Sequence, residues 1–207
     1  MSKSKEFDPY KLILNKEIRE YFKKDRKFTI PEQIQIILHS YTTAETKLMN
    51  LYSLAESIDE SDRNRVLDIA EIMDFCIEQI GNTQYTSKLG VETKCINGKE
   101  ELTGFYPDQG FLCAKGFSKE AYKEFVDWGI CHIKLPFEHG CRIRIKTLDM
   151  DKAIYGTLNA EEDGNGCWYY FVITDDNNAK DGMIDISYHE IGVTSGYAVF
   201  DWVERIE

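Results

Sequence analysis

The chain has 207 residues, of which 43% are hydrophobic and 13% aromatic, so it can bury a sizeable core. Its 36 Asp and Glu outnumber 25 Lys and Arg, and the net charge of −11 argues against a general nucleic-acid binder, which needs excess cations. No apolar run approaches the roughly 18 residues that span a bilayer. The start at Met1–Lys5 leads into a charged segment, so we expect no membrane segment, no secretory signal and a cytoplasmic protein.

The first 81 residues show the periodicity of amphipathic helices. Asp8-Pro9 favours the start of a first helix, because Pro is well tolerated in the first helical turn. The stretches 29–32 and 42–45 both match the capping-box pattern and predict two further helix starts. Gly81 ends a fourth helix, as a glycine after a helix commonly does. Four such helices with short connections predict a helical bundle domain over residues 1–81.

Residues 82–130 lose this periodicity. Five of the fourteen glycines lie between positions 82 and 116. Ser118 is a suitable N-cap for a short helix that extends to Trp128. We therefore predict an irregular linker over 82–130, with a short strand pair and this one short helix.

From residue 131 onward the period of the pattern changes to two. Residues 141–146 alternate apolar and cationic side chains, which is typical of a half-buried strand. Polar turns are predicted at 161–166 and 175–182. The other strand candidates are residues 153–158, 167–174, 183–187 and 197–205. Five short strands predict a small β-barrel or a strongly bent antiparallel sheet in an acidic β domain at 131–207, so the fold class is α+β.

The negative charge is unevenly distributed along the chain. Residues 1–27 carry nine Lys or Arg against five Asp or Glu, whereas residues 147–207 carry three against thirteen, a net charge of −10. Such a segment can be an ordinary solvated surface, or it can face a basic partner and steer its association. Aromatic side chains among the acids would supply rigid anchors. The residues that we assign to such a partner-binding surface are Glu161, Glu162, Asp163, Asp175, Asp176, Asp181, Asp185, Trp168 and Tyr170.

The basic residues Arg142, Arg144 and Lys146 form the only cationic stripe in the second half of the chain. Pairing with acidic residues on neighbouring strands is the simplest role for them. Direct binding of nucleic acid is disfavoured, except through the basic N-terminal helix.

One cluster has the side chains that zinc prefers, within eleven residues. Its members are Cys131, His132, His139 and Cys141. Their spacing matches no zinc-finger pattern, and strand alternation directs Cys141 towards the core, so whether this cluster binds zinc stays open. The six cysteines include no C-x-x-C pair, and six reduced thiols are expected.

Catalytic signatures are missing from the sequence. It has no G-x-S-x-G elbow, no phosphate-binding loop and no G-x-G-x-x-G motif. We therefore predict no catalytic residue, no metal and no cofactor. A small metal-dependent hydrolase is the enzymatic alternative. Its residues would be Asp149, Asp151, His189 and Glu190.

Three segments of the sequence resemble a known group of proteins. Residues 28–40 and 43–48 resemble the N-terminal helices of uncharacterised accessory proteins that bacterial phages and integrative elements carry, and 135–140 resembles their second half. In that group Gly-Asp usually follows Pro-Phe, whereas Gly140 precedes Cys141 here. The resemblance covers about half of the chain and carries no catalytic residue. It implies an accessory gene of a mobile element, and anti-CRISPR proteins are one functional class among such genes.

Charge, aromatic content and resemblance together predict a non-enzymatic, acidic protein-binding module. Its partner would be a basic host protein that handles nucleic acid, such as a CRISPR nuclease, whose nucleic-acid-binding surface the module would occupy. The alternatives are the metal-dependent hydrolase and a structural or regulatory module of the mobile element. The sequence leaves the oligomeric state open.

Overall fold

The computed structural model describes residues 7–13, 16–25, 27–82, 84–127, 138–145, 154–162, 164, 168–175, 183–185 and 203–206. Within these ranges a 3-10 helix at Pro9–Leu12 precedes the regular elements. The α-helices are α1 (Lys16–Asp25), α2 (Ile30–His39), α3 (Ala44–Ser57), α4 (Glu60–Gln79), α5 (Thr86–Leu89), α6 (Gln109–Ala114) and α7 (Lys119–Asp127). The strands are β1 (Val91–Ile96), β2 (Lys99–Phe105), β3 (Arg142–Ile145), β4 (Ile154–Glu162), β5 (Trp168–Thr174), β6 (Met183–Asp185) and β7 (Val203–Arg205).

Local capping chemistry explains where the first long helices begin and end. The predicted capping box before α2 is confirmed: Glu32 N–H donates to Thr29 Oγ1 at 3.4 Å, and Thr29 N–H donates to Glu32 Oε2 at 2.8 Å. The second box is one residue off, because Thr43 caps α3 and accepts from the Thr46 N–H at 3.2 Å. Gly81 follows α4 with φ +87°, a left-handed conformation that glycine adopts at little cost.

The predicted first helix is interrupted. The 3-10 turn ends at Leu12, Ile13 lies outside any helix, and α1 begins at Lys16. Arg19 Nε donates to the Ile13 carbonyl oxygen at 2.6 Å. A guanidinium therefore bonds the carbonyl that a continuous helix would use for its own ladder.

The chain forms two compact units that interleave in sequence. One comprises Met1–Pro9 and Tyr41–Gly129, and the other comprises Tyr10–Ser40 and Ile130–Glu207. This division differs from the predicted segments 1–81, 82–130 and 131–207. It places α1 and α2 in the unit of the larger sheet, and α3 and α4 in the other unit. Periodicity shows that a helix buries one face, but it does not show which element covers that face.

In the unit that contains α3 and α4, these helices pack against each other, and Leu51, Leu54, Val66 and Ile69 are completely buried. Strands β1 and β2 form the strand pair that the sequence predicted. They are joined by Asn97-Gly98, which both have positive φ, as a type I′ turn requires. Strand β2 contacts α3, and α7 contacts α4, so the described part of 82–130 packs on the helices rather than merely connecting domains.

The other unit contains a five-stranded antiparallel sheet of order β6-β5-β4-β3-β7. Each of these strands overlaps one of the five predicted strands. Ile143, Leu158, Tyr170 and Val172 are completely buried. Among the described residues β6 and β7 are the two edge strands and do not pair with each other, so the antiparallel sheet is observed and a closed barrel is not. None of the described helices has both the length and the apolar character that crossing a membrane requires.

Candidate functional site

The structure places two of the predicted acidic residues at the end of a strand instead of in a turn. Strand β4 extends through Glu162, and the register sets Glu161 opposite Tyr169 and Glu162 opposite Trp168. Both carboxylates are exposed. The predicted turn at 161–166 began too early: Glu161 and Glu162 belong to β4, because the ladder between β4 and β5 continues past the last apolar residue of the alternation, while Gly164 does lie in a turn. Both acids stay available to a partner, at a position that the sheet fixes.

Two other members of the predicted surface are occupied within the fold. Asp175 forms a bidentate ion pair with Arg142, with 2.8 Å between Nη1 and Oδ1. The Arg142 side chain donates hydrogen bonds to Asp175, and this contact lowers the pKa of that carboxyl below its ordinary value. Tyr170 is completely buried, so its side chain cannot touch a partner. Arg142 of the cationic stripe thus pairs with an acid, but that acid follows β5, which is not adjacent to β3 in the sheet.

The remaining predicted residues are only partly covered by the structure. Asp163, Asp176 and Asp181 lie outside the described residues, and for Trp168 and Asp185 only the strand backbone is described. The four residues of the hydrolase alternative also lie outside the described residues: Asp149, Asp151, His189 and Glu190. The same is true of Lys146 in the cationic stripe and of Cys131 and His132 in the zinc cluster.

The described members of the zinc cluster have protein contacts. His139 Nδ1 accepts a hydrogen bond from the Ala160 N–H at 3.3 Å, and Cys141 is half-buried. Within the described ranges no group of three His, Cys, Asp or Glu side chains is placed to hold a metal ion. Whether the four residues of the cluster bind zinc therefore stays open, because two of them lie outside the described residues.

The structure also shows an acid-rich surface on α3 and α4 that the sequence analysis missed. On α3 the spacing of Glu45, Met49, Tyr52 and Glu56 by four, three and four residues sets them on one helix face. This face is opposite the buried residues Leu51 and Leu54. We define the acidic helical face by these four residues together with Glu71 and Asp74 of α4.

Exposure and charge distinguish this face from the rest of the two helices. Met49 is 70% exposed and Tyr52 is 37% exposed, although both are large apolar side chains. Burial raises the pKa of Tyr52, and the carboxylates of Asp74 and Glu71 raise it further. The phenol of Tyr52 on α3 therefore lies within the electrostatic field of the α4 carboxylates. An apolar pair with acids around it resembles the anchor and rim of a protein interface.

The three cations of α3 and α4 have partners that are not among the six residues of the acidic helical face. Within α3, which is described in full, the only Lys or Arg is Lys47, and its side chain is buried. Arg63 donates to the carbonyl oxygens of Ala55 and Ile58, both at 3.0 Å. Arg65 pairs with Glu124 of α7 at 2.6 Å.

A finer count of charge could have found this surface from the sequence. Residues 44–79 contain nine Asp or Glu and three Lys or Arg, but the basic N-terminal segment hides that excess in any count over the first half of the chain. Helical spacing then separates the exposed Met49 and Tyr52 from the core. The fixed positions of Arg63 and Arg65 could not have been read from spacing.

The chain matches no protein-family model, and no curated protein or solved structure shows significant similarity to it.

Proposed function

We propose that this chain is a non-enzymatic binding module whose acidic surfaces engage a basic partner protein. The partner is of the class that handles nucleic acid, with a CRISPR nuclease as the leading candidate, and the module occupies its nucleic-acid-binding surface. This proposal joins the charge distribution of the sequence and its resemblance to accessory proteins of mobile elements with the exposed acids on the structure.

The observation that carries the proposal is the exposure of Met49 and Tyr52 among carboxylates. An apolar side chain such as Met49, which is 70% exposed, would stabilise a complex if a partner surface covered it, because burial of apolar area is favourable. Tyrosine and methionine are enriched in the centres of interfaces. The acids Glu45 and Glu56 lie on the same helix face and supply the charge that a basic partner complements.

The chemistry of recognition follows from the partner's normal ligand. A nucleic-acid-binding groove presents Lys and Arg that contact phosphates, and carboxylates at the edge of a rigid helix pair can engage the same cations. Long-range attraction increases the association rate at low salt and decays as salt screens it. Glu161 and Glu162, exposed at the end of β4, provide a second set of carboxylates in the other unit.

The experiment measures binding of the full chain to a guide-loaded CRISPR nuclease of the Cas9 type across a salt series. The test variant is Glu45→Gln with Glu56→Gln, and the matched control is Glu20→Gln with Glu120→Gln, two exposed carboxylates outside the acidic helical face. We expect the test variant to weaken binding about tenfold at about 50 mM salt, with a smaller loss at higher salt.

A second variant tests the apolar part of the face. Met49→Ser with Tyr52→Ser removes the anchors without changing the charge, so it should weaken binding at every salt concentration, mainly through faster dissociation. The proposal fails if the unaltered chain does not bind at about 50 mM salt. It also fails if the control variant loses as much affinity as the test variant.

A further inference from the structure

The β1–β2 hairpin contains an irregularity that a buried side chain of α3 satisfies. The register pairs Thr93 with Leu102 and Glu92 with Gly104. Thr103 is therefore opposite no residue of β1 and is the extra residue of a β-bulge. Thr103 is 1% exposed. A bulged residue leaves the regular ladder, and its buried backbone groups need other partners.

Lys47 supplies one of these partners. Its Nζ donates to the Thr103 carbonyl oxygen at 2.6 Å, and the Lys47 side chain is 1% exposed. Thr103 Oγ1 in turn lies 3.3 Å from the backbone oxygen of Glu92 and donates to it. Lys47 on α3 thus binds the bulged residue Thr103 of β2, which lies 56 residues later in the sequence.

The charged groups that face Lys47 come from strand β1. Glu92 and Lys94 both act on the Lys47 ammonium, and Glu92 Oε2 accepts a hydrogen bond from the Tyr106 hydroxyl at 3.1 Å. Lys94 Nζ lies 3.9 Å from Glu92 Oε1, and it also lies 5.6 Å from the ring centre of Tyr41. Oε1 is buried and has no hydrogen-bond donor among the described residues.

We propose that the β1–β2 hairpin is a proton-linked element, which binds α3 more tightly when Lys47 releases its proton. The geometry supplies the reason: Lys47 is held in a site with a carbonyl acceptor and little water, where an amine can still donate to Thr103 but an ammonium loses most of its hydration. The proposal concerns a regulatory property of the fold and does not depend on the proposed partner.

The sign of the effect follows from the two states of Lys47. Burial lowers its pKa from 10.5 to about 8, Glu92 opposes this shift, and Lys94 adds to it. When the hairpin separates from α3, Lys47 returns to water and to its ordinary pKa. Between these two pKa values the docked state holds fewer protons, so docking strengthens as pH rises through this window.

Glu92 titrates in the opposite sense. Burial is the main cause that raises its pKa above 4.5, so the docked state holds more protons than the free state in the acid range. Its contribution to docking therefore falls as pH increases there. Lys47 and Glu92 each shift the pKa of the other, so their contributions to docking have to be distinguished by substituting one residue at a time.

The test is hydrogen–deuterium exchange of the full chain, followed in peptides that cover residues 91–105 and corrected for the intrinsic exchange rate at each pH. We expect the protection of these amides to rise about tenfold between about pH 7 and about pH 9, from the two pKa values of Lys47. Lys47→Arg stays charged throughout this range and should show no rise.

Two further variants move the transition in opposite directions. Glu92→Gln removes a charge that raises the Lys47 pKa, so the rise should move to lower pH, whereas Lys94→Met should move it to higher pH. Lysine NMR of the unaltered chain should give a midpoint near 8 for Lys47. The proposal is overturned if Lys47 titrates near its ordinary pKa, or if Lys47→Arg retains the full pH dependence of protection.

Discussion

Arg142 forms an ion pair with Asp175 across the strand that lies between them. Arg142 begins β3 and Asp175 follows β5, and β4 separates these two strands in the sheet. Arg142 Nη1 donates to Asp175 Oδ1 at 2.8 Å and is also 3.3 Å from Thr157 Oγ1 on β4. A carboxylate that the charge pattern offered to an external partner is thus already paired with a guanidinium inside the fold.

We predict that Asp175→Asn lowers the free energy of unfolding at neutral pH. Because the ion pair depresses the pKa of Asp175, its contribution is complete above the ordinary value of 3.8 and is lost as pH falls through the lower, folded-state pKa. Urea denaturation at several pH values should therefore show the two proteins converging in acid.

Glu162→Gln is the matched control for this prediction, since it removes another exposed carboxylate from the same sheet. It should leave the pH dependence of unfolding close to that of the unaltered chain. A stability difference for Asp175→Asn that persists unchanged in strong acid would show that the charge of Asp175 is not its cause.

Gly156→Ala should strongly destabilise the sheet. A Cβ at this position would lie 2.4 Å from the Ile173 carbonyl oxygen and 2.5 Å from Val172 Cγ1, so both β4 and β5 would have to shift. We expect a loss of about 3 kcal/mol or more in the free energy of unfolding, measured by chemical denaturation. Gly164→Ala, with no atom within 4 Å of its new Cβ, should change stability little. Equal stability of both variants would contradict the close approach of the strands.

The capping box at α2 predicts a smaller effect. Thr29→Ala removes the acceptor for the Glu32 N–H and should lower the free energy of unfolding by about 1 kcal/mol. The control is Ser53→Ala at an exposed position within α3, which also removes a hydroxyl but removes no helix cap. Thermal or urea denaturation of the two variants should rank them in this order, and the reverse order would show that the box adds nothing to stability.

The thiols should differ widely in reactivity. Cys76 is completely buried, and burial raises its pKa to about 12, whereas Cys95 on β1 is exposed. A short pulse of iodoacetamide followed by peptide mass spectrometry should label Cys95 at least about a hundredfold faster than Cys76. Cys95→Ser should abolish the fast reaction at that peptide. Labelling of Cys76 at the rate of Cys95 in the folded chain would contradict its burial.

Periodicity and capping predicted the elements of this fold better than their partners. The alternation at 141–146 predicted β3 because one face of that strand is buried at Ile143 while Arg142 and Arg144 are only half-buried. The pattern could not show that α1 and α2 group with the sheet, because an apolar stripe records burial without recording what lies opposite. The same limit left a small barrel and a strongly bent antiparallel sheet as alternatives, and the described strands form an antiparallel sheet whose order is open.

Charge and spacing in the sequence were also insufficient to predict the contacts of the site residues. Net charge grouped Glu161 and Glu162 with Asp175, and it could not show that Asp175 is paired with Arg142, which lies 33 residues earlier. The buried site of Lys47 gave no sequence signal, since a lysine at that spacing in a helix usually extends its amine to water. The carbonyl oxygen at the bulged Thr103 accepts from the Lys47 amine, and a bulge in a strand depends on its register, which the sequence pattern does not give.

The strand order has a consequence for how the chain is made. Strand β3 pairs with β4 on one side and with β7 on the other, and Ile145 is opposite Val203, 58 residues later. During synthesis β3 and β4 leave the ribosome first, so one edge of β3 stays unpaired while the intervening residues are translated. An open edge of that kind can pair with a strand of another molecule. The later Val203 is translated, the longer the free edge of Arg142–Ile145 stays open to such pairing.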